Sequence, residues 1–206
     1  MPFGRCNAPA AFQRWINEVL MEHIDIRCIF YLDDVLIYSN ILQQHRQDVS
    51  NILEAIRNSG MKVKPSKCEF HQSEREYLGF IIGQEGGKTD PVGTQVIWDW
   101  TTPKKIKEIQ CILGFCNFYR RFIAGFSRTA KPLYAKTKQE WIGHWEWGDK
   151  EQQAFDELRT KLTTAPVLVY CDPLAPTKIE TDALKYVRSG IPAQKCQDGK
   201  WRPVGY

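Results

Sequence analysis

The sequence predicts an α+β fold in which short strand pairs alternate with amphipathic helices. β-Branched and aromatic residues flank the dipeptide Asp33-Asp34 on both sides, in the run from Phe30 to Ile37. This pattern is typical of a hairpin that carries the two acids at its turn. Apolar residues recur at helical spacing before the hairpin and after it, which predicts the order helix, hairpin, helix, strand for the first third of the chain.

The two helices around the hairpin have recognisable ends. Asn7 followed by Pro9 is a capping pattern, and it starts a helix predicted over roughly residues 8 to 23. The inward face of that helix is formed by Phe12, Trp15, Ile16, Val19 and Leu20. The second helix carries apolar residues from Leu42 to Ile56, and Gly60 predicts its end.

Further strands and helices are predicted downstream. Residues 69–71 and 77–82 are expected to form a strand pair that Gly86-Gly87 closes. Asp90-Pro91 and Thr102-Pro103 both have the pattern of a helix start, a capping side chain followed by proline. The second of these helices has its apolar face at Ile106, Ile109, Leu113 and Cys116.

The last quarter of the chain is predicted to be one helix followed by strands. Asp149 and Gln152 have the spacing of a capping box, and Ala154, Phe155, Leu158 and Leu162 face inward. Short strands are expected at residues 166–170, 177–181, 187–191 and 201–206, with Asp198-Gly199 as a hairpin turn. Pro192 within this region requires a strand edge or a bulge.

Composition sets limits on the function. The chain has 206 residues, of which 43% are hydrophobic, and a net charge of +4, so a polyanionic partner is permitted but is not established by charge alone. Its seven cysteines lack zinc-ligand spacing and are expected to be reduced thiols. No apolar run reaches the length of a membrane span, and no signal sequence is evident. We therefore expect a soluble intracellular chain without a membrane partner.

Two motifs have two interpretations each on residue chemistry alone. Asp33 and Asp34 are either ordinary turn residues or ligands of Mg²⁺ or Mn²⁺, which prefer oxygen donors. The segment from Gly114 to Ile123 mixes aromatic residues with Arg120 and Arg121. It either stacks on and contacts nucleic acid or builds a small helical core.

Several stretches in fixed order resemble the reverse transcriptase of Ty3/gypsy-type LTR retrotransposons. They are Met1-Pro2-Phe3-Gly4 with Asn7-Ala8-Pro9, Tyr31-Leu32-Asp33-Asp34, Lys67-Cys68-Glu69-Phe70, Leu78-Gly79-Phe80, the segment from Leu113 to Phe122, and Glu180-Thr181-Asp182-Ala183. The resemblance implies part of a polymerase palm at residues 1–87, a helical thumb and connection at 88–144, and the first strands of an RNase H-like domain at 145–206.

The resemblance also implies roles for individual residues. Asp33 and Asp34 match metal-binding catalytic aspartates that use Mg²⁺ or Mn²⁺ for two-metal nucleotidyl transfer. Asp182 matches the first metal-binding catalytic aspartate of the RNase H-like domain. Phe3, Gly4, Gln13 and Lys67 match the nucleotide pocket, although a solvated surface position is an equally good interpretation of Lys67. Tyr31, Leu32, Leu78, Gly79, Phe80, Arg120 and Arg121 match contacts to primer and template. The implied partners are an RNA/DNA template-primer and a dNTP.

The same resemblance predicts an incomplete active site. The family's third palm carboxylate would lie upstream of Met1, and the later RNase H ligands would lie beyond Tyr206. We therefore expect a fragment of a polyprotein that holds its metal weakly and has negligible polymerase or nuclease activity by itself. The alternatives are a non-catalytic nucleic-acid-binding remnant that uses Lys104, Lys105, Lys107, Arg120 and Arg121, and a retroelement relic without function.

Overall fold

The computed structural model describes residues 6–138, 145–184 and 187–206, and for residues 182–184 and 187–189 it describes the backbone only. Contacts divide the chain into two compact units, Met1–Gln72 and Ser73–Tyr206. Each unit combines helices with small antiparallel sheets, which confirms the predicted α+β class. The domain boundaries that the sequence resemblance implies, after residues 87 and 144, stay a prediction.

The first unit has the predicted order of helix, hairpin and helix. Its elements are α1 (Ala8–Val19), β1 (Cys28–Tyr31), β2 (Asp34–Ile37), α2 (Leu42–Asn58) and a 3₁₀ turn at Pro65–Lys67. Helix α2 ends as predicted, because Gly60 adopts a left-handed φ of 78° directly after the cap, a conformation that glycine adopts without steric cost.

Helix α1 is shorter than predicted, since it ends at Val19 rather than near residue 23. The chain then forms a compact turn in which the carbonyl of His23 accepts hydrogen bonds from the amides of Arg27 and Cys28. Asp25 in this turn has a φ of 59°, which interrupts any helical continuation. The turn leads the chain directly into β1.

A small apolar core holds the first unit together. It consists of Ile16, Leu20, Cys28, Ile52 and Ile56, all with at most 4% of their surface exposed. Burial of each aliphatic side chain contributes about 1.5–3 kcal/mol. Because these residues come from α1, its C-terminal cap Leu20, β1 and α2, the core fixes both helices against the strand that leads to the acidic turn.

The second unit begins with a three-stranded antiparallel sheet, β3 (Glu74–Tyr77), β4 (Phe80–Gly83) and β5 (Gly86–Thr89). The predicted strand at residues 69–71 does not form. The run from Tyr77 to Ile82 is not one strand either, because Leu78 and Gly79 have positive φ values of 51° and 79°. Positive φ at both central residues makes a tight hairpin turn, so Tyr77 pairs with Phe80.

The pair Gly86-Gly87 lies inside β5 and does not close the unit as predicted. Gly87 exchanges two backbone hydrogen bonds of 2.9 Å with Leu168, in an isolated bridge that replaces the predicted strand at residues 166–170. Gly86 has a φ of 136°, and a Cβ atom there would lie 2.1 Å from the Leu168 carbonyl oxygen. This close approach of two backbones therefore requires glycine.

Four helices follow in the described part of this unit: α3 (Pro91–Trp98), α4 (Ile106–Phe118), α5 (Phe126–Lys136) and α6 (Asp149–Thr163). Helix α3 starts as predicted, because the carboxylate of Asp90 accepts hydrogen bonds from the amides of Val92 and Gly93. The apolar faces of these four helices meet in one core, to which residues between and after the helices also contribute. The core comprises Ile97, Ile109, Ile112, Leu113, Cys116, Tyr119, Phe122, Ile123, Phe126, Ala130, Leu133, Ala154, Phe155, Leu158, Leu162 and Leu168.

Two predicted helix starts are shifted. Helix α4 does not start at Thr102-Pro103, because the Thr102 hydroxyl donates a hydrogen bond to Gln152 and Lys105 is still extended. Helix α6 has Gly148 rather than Asp149 before its first turn, and the Gly148 amide donates to the Glu151 carboxylate at 3.0 Å. Tertiary contacts of Gln152 thus replace the capping role that its spacing predicted.

The chain ends in a second three-stranded antiparallel sheet, β6 (Thr177–Leu184), β7 (Val187–Lys195) and β8 (Trp201–Pro203). The predicted turn at Asp198-Gly199 forms, with Gly199 at a φ of 76°. Pro192 lies in the central strand β7, where its carbonyl accepts from the amide of Val204, just past the end of β8. The missing N–H of Pro192 faces the same side, just beyond the Ala193–Pro203 pair that ends the β7–β8 ladder, so the pairing of Pro192 with Ile179 of β6 is unaffected. Pro192 therefore lies where a ladder ends on a central strand, and not at the predicted strand edge or bulge.

Candidate functional site

The two adjacent aspartates lie at one end of the β1–β2 hairpin. Tyr31 pairs with Asp34 across the ladder, so Leu32 and Asp33 form a two-residue turn between the strands. Both Asp33 and Asp34 are exposed. The predicted hairpin is thus confirmed, and it presents two neighbouring carboxylates to solvent.

The turn itself is strained. Leu32 has a φ of 51°, at the first position of a two-residue hairpin turn that glycine usually fills. A left-handed conformation at a non-glycine residue costs about 1–3 kcal/mol. The amide of Leu32 donates a hydrogen bond of 2.8 Å to the side-chain oxygen of Gln13 in α1. This contact ties the acidic turn to a helix that the core holds in place.

A buried carboxylate fixes the other end of the hairpin. Asp48 of α2 is 3% exposed and accepts hydrogen bonds from Ser39 at 2.7 Å, Gln44 at 2.8 Å and Arg27 at 3.2 Å. The hydrogen bond from Ser39 lowers the pKa of this carboxyl the most, and the hydrogen bond from Gln44 and the positive charge of Arg27 lower it further, so the pKa lies below its usual value. Arg27 precedes β1 and Ser39 follows β2, so Asp48 links both strands to α2.

The acidic pair fits part of a magnesium or manganese site. Carboxylate oxygens are the donors that Mg²⁺ prefers, and in polymerase-type sites one or two carboxylates act together with water and substrate phosphates. Throughout the part of the chain that the structure describes, no three His, Cys, Asp or Glu side chains gather in a way that would hold a metal ion. Asp33 and Asp34 therefore supply at most part of a ligand set.

The residues predicted for the nucleotide pocket are only partly described. Phe3 and Gly4 lie outside the described residues. Lys67 ends the 3₁₀ turn of the first unit and is exposed. Gln13 has its side-chain oxygen on the Leu32 amide, and its side-chain nitrogen donates to Asn17 at 3.2 Å.

Asp182 is separate from the acidic turn in the sequence and lies in another unit. Its backbone pairs with Ser189 between β6 and β7. Its side chain lies outside the described part of the chain. The structure therefore places Asp182 on a strand, as predicted, and its role as a metal ligand stays a prediction.

The predicted primer and template contacts fall in both units. Tyr31 is 56% exposed beside the acidic turn, whereas Leu78 is 40% exposed at the β3–β4 turn. Gly79 lies in the same turn, and its carbonyl accepts a hydrogen bond of 3.0 Å from the Tyr119 hydroxyl. Burial, with the charges of Asp90 and Glu76, raises the pKa of Tyr119.

The aromatic segment around α4 serves mainly as a core. Tyr119 and Phe122 are each 4% exposed, and the ring of Phe80 packs against Phe118, Tyr119 and Phe122 with centroids 5.0–5.7 Å apart. Phe118 remains 52% exposed. The segment therefore builds a helical core, which is one of its two interpretations. Among its aromatic residues, Phe118 alone leaves a large part of its ring accessible.

Both predicted arginines already have contacts within the chain. The Arg121 guanidinium donates to the carbonyl of Val204 at 3.3 Å, and that of Arg120 lies 5.8 Å from the centre of the Phe126 ring. Both side chains are nevertheless exposed. Each arginine retains further N–H donors.

The outward face of α4 offers a polar surface, on which Gln110 is a residue that the sequence did not single out. Gln110, Gly114 and Asn117 are exposed there and line a groove of about 280 Å³ together with Leu113, Tyr134 and Thr137. A Cβ atom on Gly114 would meet nothing within 4 Å, so the helix backbone is open to close approach. Of the exposed lysines nearby, Lys104 and Lys105 directly precede this helix and Lys107 lies in its first turn.

The cysteines form no disulfide, and two of them are deeply buried. All seven cysteines are free, as predicted, and burial raises the pKa of the Cys116 thiol to about 12, which makes it unreactive at neutral pH. In the described ranges, no helix combines the length and the apolar character that crossing a membrane would require.

Comparison with protein families identifies both parts of the chain. Residues 1–82 match the reverse transcriptase (RNA-dependent DNA polymerase) family. Residues 147–206 match the RNase H-like domain found in reverse transcriptase. The acidic turn lies in the first match, and the β6–β8 sheet lies in the second.

Similar proteins are transposon polyproteins and viral reverse transcriptases. The Tf2-3 and Tf2-7 transposon polyproteins of Schizosaccharomyces pombe are 33% and 32% identical over all 206 residues, which span 15% of each polyprotein. Structures of a foamy viral protease-reverse transcriptase with dsDNA and with an RNA/DNA hybrid superpose on the whole chain with TM-scores of 0.80 and 0.79. Their identities are 26% and 25%, and the chain covers 42% and 27% of them.

These matches confirm the resemblance that the motifs predicted, in the same order along the chain. Residues 1–82 belong to the reverse transcriptase family and residues 147–206 to the family of RNase H-like domains found in reverse transcriptase, and the whole chain is similar to Ty3/gypsy-type retrotransposon polyproteins.

Proposed function

We propose that this chain forms part of the palm of an RNA-directed DNA polymerase and the beginning of its RNase H-like domain. The observation that carries the proposal is the exposed Asp33-Asp34 pair on a hairpin turn, inside the segment that matches reverse transcriptase. The chain spans 15% of the polyproteins it matches, so polymerase activity is proposed for a longer protein to which this chain contributes.

The acidic turn is proposed to bind the divalent metal of that reaction. Bound Mg²⁺ or Mn²⁺ would activate the primer 3′-hydroxyl and stabilise the charge on the leaving pyrophosphate. Asp33, at the tip of the turn, is the first candidate ligand, and Asp34 is the second. Tyr31 and Leu32 are proposed to lie beside the primer end. Asp182 is proposed as the first metal ligand of the RNase H-like domain.

Other residues are proposed to bind nucleotide and primer. Phe3 and Gly4 would line the nucleotide pocket, and the exposed ammonium group of Lys67 would neutralise triphosphate charge. The β3–β4 turn, Leu78-Gly79-Phe80, would approach the primer strand. Because the Phe80 ring packs inside the chain, that approach would use the backbone and Leu78.

The chain by itself is predicted not to extend a primer. Within the described residues the acidic pair has no third carboxylate partner, and two carboxylates alone do not organise two Mg²⁺ ions. The measurement is extension of a DNA primer on an RNA template by the purified chain, with Mg²⁺ and with Mn²⁺. We expect no product above that of the Asp33→Asn variant, and robust extension that depends on Asp33 would contradict the account.

We also propose that the outward face of α4 binds the template-primer duplex. Three observations support this: the exposed lysines 104, 105 and 107, the groove beside Gly114, and the half-exposed ring of Phe118. The lysines would contact phosphates, while Gly114 would let the sugar edge approach the helix. The foamy viral proteins of similar structure were solved with dsDNA and with an RNA/DNA hybrid.

The expected signature of this surface is a salt-dependent affinity for an RNA/DNA hybrid. Replacing Lys104, Lys105 and Lys107 by glutamine should reduce the slope of log K against log salt by about 3, because each phosphate contact contributes about 0.9. Lys88→Gln is the control, since Lys88 is already paired with Glu74 at 2.8 Å. If the slope of log K against log salt were the same for the triple variant and the wild-type chain, these lysines and α4 would not be part of the interface with the duplex.

A further inference from the structure

The acidic turn is hydrogen-bonded to a side chain that lies 19 positions away in the sequence. Leu32 lies in the turn beyond the last β1–β2 pair, which joins Tyr31 to Asp34, so its amide is not part of the strand ladder. Its amide instead donates to the Gln13 side-chain oxygen at 2.8 Å. The Gln13 side chain thus contacts the backbone of the residue that directly precedes Asp33.

We propose that Gln13 is a positioning residue that acts through the turn and does not contact the nucleotide. Its oxygen accepts from Leu32 and its nitrogen donates to Asn17, so a direct contact with a nucleotide would have to compete with both bonds. By holding Leu32 at a φ of 51°, Gln13 fixes the direction in which Asp33 leaves the turn. The functional part of this inference rests on the proposed metal-binding role of Asp33.

The geometry of α1 suits this role. Gln13 lies one helical turn before Ile16, which is 1% exposed in the core of the first unit, so the two side chains project from neighbouring positions on the helix. Asn17 holds the plane of the Gln13 amide from one turn further along the same helix. A rigid, core-anchored helix therefore presents a fixed acceptor to a strained turn, which keeps a non-glycine residue in a glycine-like conformation.

The test measures amide hydrogen exchange by NMR in the wild-type chain and in Gln13→Leu, which removes the acceptor at similar volume. We expect exchange at Leu32 to become about 5–10-fold faster, as is typical for the loss of one intramolecular hydrogen bond, while exchange at the buried residue Ile52 stays unchanged. Mn²⁺ binding at the turn, followed by paramagnetic broadening, should weaken at least about threefold in the same variant.

Two further variants separate positioning from a general loss of stability. Gln47→Leu removes a glutamine of α2 that makes the same type of bond to the residue four positions on, Asn51, at 2.9 Å, and it should leave Leu32 exchange unchanged. Gln13→Glu keeps an acceptor and should keep Leu32 protected. Gln13→Leu could accelerate amide exchange at Leu32 and at Ile52 equally, which would indicate a general loss of stability. In that case, slow exchange at Leu32 in Gln13→Glu supports the proposal, and fast exchange at Leu32 in Gln13→Glu overturns it.

Other results would overturn the inference directly. Unchanged Leu32 exchange in Gln13→Leu would show that the contact does not hold the turn. Faster Leu32 exchange with unchanged Mn²⁺ affinity would show that the contact has no effect on the acidic site. A wild-type turn that binds no Mn²⁺ would instead refute the proposed role of Asp33, and Leu32 exchange would still decide the structural contact.

Discussion

Replacing Asp48 by asparagine is expected to destabilise the first unit by about 2–3 kcal/mol. The change removes the charge from a carboxylate that is 3% exposed and accepts three side-chain hydrogen bonds. Hydrogen bonds to a charged group contribute about 1.5–3 kcal/mol, and breaking a fully buried ion pair costs about 3–5 kcal/mol. Because the Arg27 side chain is 30% exposed, water can solvate its charge once the ion pair is lost, so the expected destabilisation is smaller than that for a fully buried pair.

The measurement is the free energy of opening of α2 by amide hydrogen exchange, which reports on the first unit separately. Asp25→Asn is the matched control: it removes a charge at an exposed position of the same unit, and asparagine tolerates the φ of 59° found there. The control should change stability by less than about 0.5 kcal/mol. A similar small effect for Asp48→Asn would show that the network does not hold the hairpin.

The same carboxylate predicts how stability depends on pH. Its folded-state pKa is lowered, chiefly by the hydrogen bond from Ser39, so its contribution is fully present above the unfolded pKa of about 3.9. That contribution is lost as the pH falls from there through the lower folded-state pKa. In Asp48→Asn, the part of the acid-induced loss of stability that comes from this group should therefore disappear.

Local sequence patterns predicted the elements that local interactions determine. The hairpin follows from β-branched and aromatic residues on both sides of Asp33-Asp34, and α2 follows from a regular apolar spacing that ends at Gly60. The run from Tyr77 to Ile82 predicts one strand because its apolar residues are continuous, and within the run Gly79 alone indicates the turn that the structure shows. The start of α4 was misjudged because the contact between Thr102 and Gln152 outweighs a local capping pattern.

The site was only half predictable for the same reason. The two aspartates are adjacent in sequence, so their chemistry is visible in a short motif. The contacts that hold them are not: Gln13 and Leu32 are 19 residues apart, and Arg27 and Asp48 are 21 residues apart. The sequence offered one indication of the role of Asp48: this acidic residue lies beside Val49 on the apolar face of α2. A carboxylate buried on such a face requires a hydrogen-bonding or charged partner.

The second large effect is expected at the acidic turn itself. Removing one carboxylate from a two-carboxylate cation site removes a major part of the electrostatic attraction between the site and the metal ion. Two opposite unit charges about 4 Å apart near a protein surface attract each other by several kcal/mol. Asp33→Asn should therefore weaken Mn²⁺ binding at the turn at least about tenfold. Asp25→Asn, in the same unit, should leave that binding unchanged.

Titration of the ¹⁵N-labelled chain with Mn²⁺ tests the central claim most directly, because paramagnetic broadening locates the ion on individual amides. If the acidic turn is part of a polymerase metal site, the strongest broadening will centre on Leu32, Asp33 and Asp34, and it will be lost in Asp33→Asn. Broadening that is absent from the turn, or that persists there unchanged in Asp33→Asn, would contradict the assignment of this hairpin as the metal-binding element.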